Sequence, residues 1–175
     1  GDFSEVTLTP RNVLSQIHVN VKVPSIGYLR YARGSLTGIS EGYLLGQGKP
    51  LKSKVTYLLE SWTKSIDEND ATLGTLKTSL KCFGLPETDH PDAENNKLSL
   101  SALLIDNKTQ VDYQFLVGDK FKKDENSSDS GYIVSLHVDV DAPPLPEVKP
   151  SEGSSGGFDV TIQDWGKPED IDMEL

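Results

Sequence analysis

Few side chains in this sequence have the type and spacing that chemistry needs. Its three histidines lie far apart. His18 and His137 fall on the polar phase of alternating runs, which predicts imidazoles on a solvent face. His90 lies in Asp89-His90-Pro91-Asp92. Asp89, His90 and Asp92 have donor types a metal takes, yet no second cluster at ligand spacing accompanies them. The lone cysteine, Cys82, ends an apolar run beside Phe83, with no histidine near it in sequence. That setting predicts a buried structural thiol rather than a nucleophile. One thiol also excludes an intramolecular disulfide and a Cys-rich zinc site. The sequence has no Ser-x-x-Lys with its partner motifs and no Walker A loop.

The 27 Asp and Glu residues are so many that two at glycosidase spacing would arise by chance, so such a pair carries no signal. Asp67-Glu68-Asn69-Asp70 and Asp124-Glu125-Asn126 look like pieces of a calcium loop. Both lack the glycine at the sixth position and the glutamate at the twelfth, so solvated turns are expected. The expectation is therefore no catalytic residue, no cofactor and no metal. One binding alternative comes from the aromatics. Tyr28, Tyr31, Tyr43, Tyr57, Trp62 and Trp165 include candidates for a sugar-stacking platform, as in a carbohydrate-binding module. The plainer reading makes them core or edge residues with one polar tip.

The elements that must position these groups read as strands. Ile17 to Val23 alternate strictly, and Pro24 stops the run. Leu76, Thr78, Leu80 and Cys82 form another alternating set, closed by Gly84-Leu85-Pro86. Leu98, Leu100, Ala102 and Leu104 lead through an Asp106-Asn107 turn to Val111, Tyr113, Phe115 and Val117, a hairpin pattern. Tyr132, Val134, Leu136, Val138 and Val140 share one face, with Ile133, Ser135, His137 and Asp139 on the other. Phe158, Val160 and Ile162 oppose Asp159, Thr161 and Gln163 in a late strand. Val55 to Ile66 fits helical as well as strand spacing, and the β-branched and aromatic run Val55-Thr56-Tyr57 favours a strand. Val13 to Val21, which admits an initial helical turn, is read as extended throughout. The spacers 67–70, 87–96, 122–131 and 142–157 are rich in turn formers, and the last is stiff in its proline half and flexible in its Gly/Ser half. About 7–9 strands without a convincing helix or an internal repeat predict an all-β Greek-key sandwich.

With 175 residues the chain can bury a core without disulfides or metal. A net charge of −10 opposes binding to nucleic acid and to anionic membrane surfaces. No stretch approaches the roughly 18 apolar residues of a membrane span, and no signal peptide is visible. The start at Gly1 fits a chain from which a leader or an upstream domain has been trimmed.

Several segments together resemble a known family. Leu8-Thr9-Pro10-Arg11-Asn12-Val13 leads into the first strand, and Ala32-Arg33-Gly34-Ser35-Leu36-Thr37-Gly38-Ile39 precedes Glu41-Gly42-Tyr43-Leu44-Leu45-Gly46. Phe83-Gly84-Leu85-Pro86 and Phe158-Asp159-Val160-Thr161-Ile162-Gln163-Asp164-Trp165-Gly166 follow. The series resembles the C-terminal domain of fimbrillin-like proteins of Bacteroidetes, especially the anchor-type subunits related to minor fimbrial proteins. The resemblance spans nearly the whole chain, and each motif is short. It implies a transthyretin-like sandwich, the second of two such domains in a secreted lipoprotein at the outer membrane or in a pilus. It also implies a non-catalytic structural or adhesion module whose partners are other fimbrial subunits or surface proteins, joined by β-strand complementation.

The expected organisation is a main sandwich over 1–141, a linker over 142–157, a final strand over 158–165 completing the same sandwich, and an acidic tail over 166–175. The interaction residues expected are Phe158, Val160, Ile162 and Trp165. Strand exchange at that position is the sharper alternative to simple completion of the chain's own sandwich. The isolated domain is expected to be a monomer, touching a membrane only through a lipid anchor on an N-terminal region outside this sequence.

Overall fold

A computed structural model describes residues 13–125 and 131–151. It is an all-β sandwich. The strands are β1 (Ser15–Pro24), β2 (Leu29–Ser40), β3 (Tyr43–Leu44), β4 (Lys49–Pro50), β5 (Lys54–Leu59), β6 (Thr63–Ile66), β7 (Leu73–Cys82), β8 (Lys97–Leu104), β9 (Gln110–Leu116), β10 (Lys122–Lys123) and β11 (Ser135–Asp141). Two 3₁₀ turns, Ile26–Tyr28 and Ala93–Asn95, are the helical pieces among the described residues. One sheet has the order β10-β11-β1-β7-β6 and the other β5-β2-β8-β9, while β3 and β4 form a separate hairpin. The described residues thus hold eleven strands where 7–9 were expected, because short pieces such as β4 and β10 are too brief to show an alternating pattern.

β1 is the central strand of the first sheet. It pairs antiparallel with β7 over its whole length, from Ser15↔Cys82 to Pro24↔Leu73. On its other side it pairs parallel with β11, from Gln16↔Ser135 to Lys22↔Asp141. Its inward residues Ile17, Val19, Val21 and Val23 are fully buried. Each such side chain stabilises the fold by about 1.5–3 kcal/mol relative to exposure. They face Ala32, Leu36, Leu98, Leu100 and Leu104 of the second sheet within one core cluster.

The most consequential strand absent from the sequence reading is β2, twelve residues long and central to the second sheet. Its burial does not alternate, since the register shifts between Leu29 and Tyr31 against β8 and between Leu36 and Ile39 against β5. Bulges of this kind reset which residues face inward and erase the period-two signal. The strand starting at Tyr132 also needs correction, because β11 begins only at Ser135 and Tyr132 and Ile133 lie in a bend. Val55-Thr56-Tyr57 lies in β5 as expected, and the hairpin β8–β9 closes at Asp106-Asn107. There Asp106 Oδ1 accepts the Lys108 and Thr109 amides, and Asn107 takes a φ of 61°.

Segment 142–151 lies against the sandwich, with its prolines exposed. Ala142 N–H donates to Lys22 O, Leu145 N–H to Pro24 O and Ser151 N–H to Ile105 O, and Ala142 and Leu145 are buried. The chain therefore crosses from the end of β1 to the turn that opens β9. Residues 152–175, including the expected strand 158–165, lie outside the described residues.

Gly34, opposite Leu100 in the middle of β2, has no room for a side chain: a Cβ there would stand 2.1 Å from Ser99 O of β8. Gly34→Ala is expected to lower stability by about 1–3 kcal/mol through overpacking. Urea denaturation checks this, with the half-exposed neighbour Ser35→Ala as a control that moves the midpoint little. An unchanged midpoint for Gly34→Ala would sink the account.

Candidate functional site

The groups with functional potential fall in three places: the sheet edges, a histidine–carboxylate cluster on one face, and a cleft at one end.

Edges matter because unpaired backbone groups offer a template for another strand. β6 has four residues, and β10 covers only His137 and Leu136 of β11. β5 opposes the irregular part of β2. β9 differs. It is a seven-residue edge strand in unbroken register with β8, from Lys97↔Leu116 to Leu103↔Gln110, and it contains no proline, lysine or bulge. Leu104 N–H bonds Thr109 O at the hairpin end. Antiparallel alternation then turns the main-chain groups of Gln110, Asp112, Gln114 and Leu116 away from β8. On the inward side Tyr113 is buried, with its hydroxyl donating to Pro143 O at 2.8 Å. Tyr113 and Phe115 stack with ring centroids 6.0 Å apart. Asp112 accepts Ser101 Oγ at 2.7 Å and Gln110 Nε2 at 3.0 Å. Those bonds hold its carboxyl below the ordinary range, the Ser101 bond contributing most.

The second place was not legible in sequence. Parallel pairing of β1 and β11 sets His18 directly beside His137 and Asn20 beside Asp139. The chain leaving β10 adds Asp124, whose amide donates to Ser135 O. His137 Nδ1 contacts Asp124 Oδ1, while His18 Nε2 lies 4.0 Å from Asp124 Oδ2. His137 Nε2 lies 3.7 Å from Asp139 Oδ2, and Asn20 Nδ2 donates to Asp139 Oδ1 at 2.8 Å. Both histidines remain partly exposed, as their polar phase implies. Among the described residues no three His, Cys, Asp or Glu side chains are disposed to hold a metal ion. The arrangement instead ties β10 to the outer face of the first sheet.

The third place is a cleft of about 560 Å³. Leu85, Phe121 and Leu136 give it an apolar floor, and Lys52, Lys54 and Lys123 stand on its rim. Its loop wall is fixed by main-chain bonds: Gly118 N–H to Ala93 O and Val117 N–H to Asn96 O. The buried Asn96 donates through Nδ2 to Thr37 O and Gly38 O. Gly38, at φ +80°, has its Cβ position 2.2 Å from Asn95 O, so only glycine permits this approach.

The remaining candidates resolve simply. Cys82 is fully buried, and burial pushes its thiol up. His90 is exposed, and its amide donates to Thr88 Oγ1. Asp67 and Asp70 accept the amides of Asn69 and Thr72 in local turns, as expected of solvated loops. Trp62 is buried with its Nε1 donating to Leu59 O, so it belongs to the core and not to a stacking platform. Tyr28, Tyr31 and Tyr57 are partly buried and pack on the same core. Tyr43 sits on the separate β3–β4 hairpin. Phe158, Val160, Ile162 and Trp165 lie outside the described residues.

No family model and no curated protein sequence matches this chain. Among solved structures, the chain is similar to a "putative adhesin" from Bacteroides ovatus, at 14% identity and a TM-score of 0.42. The alignment covers 78% of this chain and 50% of that one, so this chain spans about half that protein's length.

Lys64 gives the flank of the sandwich a pH dependence. It stands opposite Leu76 on β6, and its Nζ donates to Leu29 O across the flank at 3.3 Å. Burial pushes its pKa down to about 8. The unfolded chain, at an ordinary value near 10.4, then holds more protons between those limits, so stability rises with pH through that window. The expected gain from pH 8 to 10.5 is on the order of 1 kcal/mol, discounted for the exposed part of the side chain. Lys64→Met should lack it, and the difference between the two urea titrations isolates the effect. For the histidine cluster, Asp124→Ala should release β10, with amide exchange at Lys122 and residue 124 roughly tenfold faster. Unchanged exchange there would show that the cluster does not tether the strand.

Proposed function

We propose that this chain is a non-catalytic structural or adhesion module of a cell-surface fimbrial system, acting through β-strand pairing with other subunits. The observation that carries the reading is β9, an edge strand in full register that lacks the devices that blunt other edges. Main-chain groups at Gln110, Asp112, Gln114 and Leu116 supply the donors and acceptors for an added strand, in the manner of β-augmentation. The sequence supplies a strand to match. Phe158, Val160, Ile162 and Trp165 lie in an eight-residue segment, close to the seven residues of β9. The described chain reaches Ser151 beside the Asp106-Asn107 turn, where Asn107 Nδ2 donates to Ser151 Oγ and where β9 begins. Residues 158–165 then either complete their own sandwich along this edge or serve a neighbouring copy. The resemblance to fimbrillin-like anchor-type subunits supports the pilus setting, and with it an outer-membrane or pilus location.

The test is a chain ending at Gly157, offered a synthetic peptide of residues 158–165. It is expected to stay folded and to bind the peptide. Gln114→Pro, which removes an outward donor and leaves the β8 ladder intact, should weaken binding at least about tenfold, or ~1.4 kcal/mol. A folded truncated chain that ignores the peptide would overturn the proposal. One that unfolds would make 158–165 a core strand and not an exchanged one.

A further inference from the structure

The cleft between the loop 85–96 and residues 118–123 carries an inference independent of the edge-strand reading. Lys52, Lys54 and Lys123 converge on it, and none is ion-paired with a described residue. Two carboxylates, Glu87 and Asp119, share the lining, and the adjoining hollow adds Lys49. The lining therefore has a lysine excess in a chain whose net charge is −10. Under its rim the floor is apolar, and its loop wall is held in place by the main-chain bonds of Gly118, Val117 and Asn96. A preformed cleft of this size, with an apolar floor and a rim on which lysines outnumber carboxylates, suits an extended ligand that is apolar on one side and anionic on the other.

The sequence of this chain contains such a ligand. Residues 152–175 hold seven carboxylates and one lysine, so six of the ten net negative charges lie there. Within them Asp170, Asp172 and Glu174 alternate with Ile171, Met173 and Leu175. In an extended backbone that alternation separates an acidic side from an apolar side. We propose that the cleft is the docking site of segment 169–175 of the same chain, with the apolar residues on the floor and the carboxylates toward the lysines.

The reach is sufficient. Ser151 lies beside Ile105, just past one end of β8, and the cleft lies at the other end, where Asn96 precedes β8. Eight residues of strand separate them, roughly 26 Å. The 17 residues from 152 to 168 span up to about 60 Å when extended.

The experiment uses the full chain at low micromolar concentration with a zero-length carbodiimide, which joins a lysine amine to a carboxylate in contact with it. Mass spectrometry of the monomer band is expected to find residues 169–175 linked to Lys52, Lys54 or Lys123. The triple variant K52E/K54E/K123E should make amide exchange in 169–175 roughly tenfold faster. Adding D170K/D172K/E174K to that variant should restore the protection. All six substituted positions lie at exposed lysines or beyond the described core, and the urea midpoint verifies that folding is kept. Links spread over exposed lysines such as Lys77 and Lys81, links found only between copies, or exchange indifferent to the lysines would each overturn the proposal. Failure of peptide 158–165 to bind at β9 would leave these links where they are, so the two readings fail separately.

Discussion

The structure depends on how β1 is held. Its apolar row, Ile17 to Val23, is excluded from water and needs a neighbour on each side to satisfy its main chain as well as a sheet above it. β7 provides one neighbour through a full antiparallel ladder, and β11 provides the other through a parallel one. A parallel neighbour cannot arrive by a tight turn. The chain must therefore travel through β8, β9 and β10 before β11 returns to β1. That journey creates the second sheet's outer hairpin, leaves β9 at an edge and brings the 118–123 segment past the end of the sandwich.

Two consequences for function follow from this one pairing. The first is that paired polar phases meet on the outer face: His18 beside His137, and Asn20 beside Asp139, with Asp124 closing the group. The second is that the protein presents unequal edges. Short strands and bulges interrupt most of the sheet rims, whereas β9 offers continuous main-chain donors and acceptors. Strand pairing is a backbone phenomenon and requires no particular side chain.

The end of the sandwich is organised differently. The connection 83–96 is long, yet its second half is pinned by bonds to Thr37, Gly38, Val117 and Gly118. A loop fixed in this way makes a wall, and Lys52 of the β4–β5 connection, Lys54 of β5 and Lys123 of β10 come to it from distant parts of the sequence.

Sequence alone determined the all-β class, the inward faces of β1, β7, β8 and β9, the Asp106-Asn107 turn and the burial of Cys82. These follow from local alternation and from turn chemistry, both of which act between residues close in the chain. The histidines illustrate the boundary. Their exposure was legible, since each sits on a polar phase, but their meeting was not, because register between strands 119 residues apart leaves no local mark. β2 escaped notice for a related reason: its bulges are set by its neighbours and scramble its own pattern. Trp62 lies in the core, as the plainer reading of the aromatics expects. Tertiary structure likewise decided which strand lies at an edge and which lysines share a cleft, since both are properties of long-range pairing.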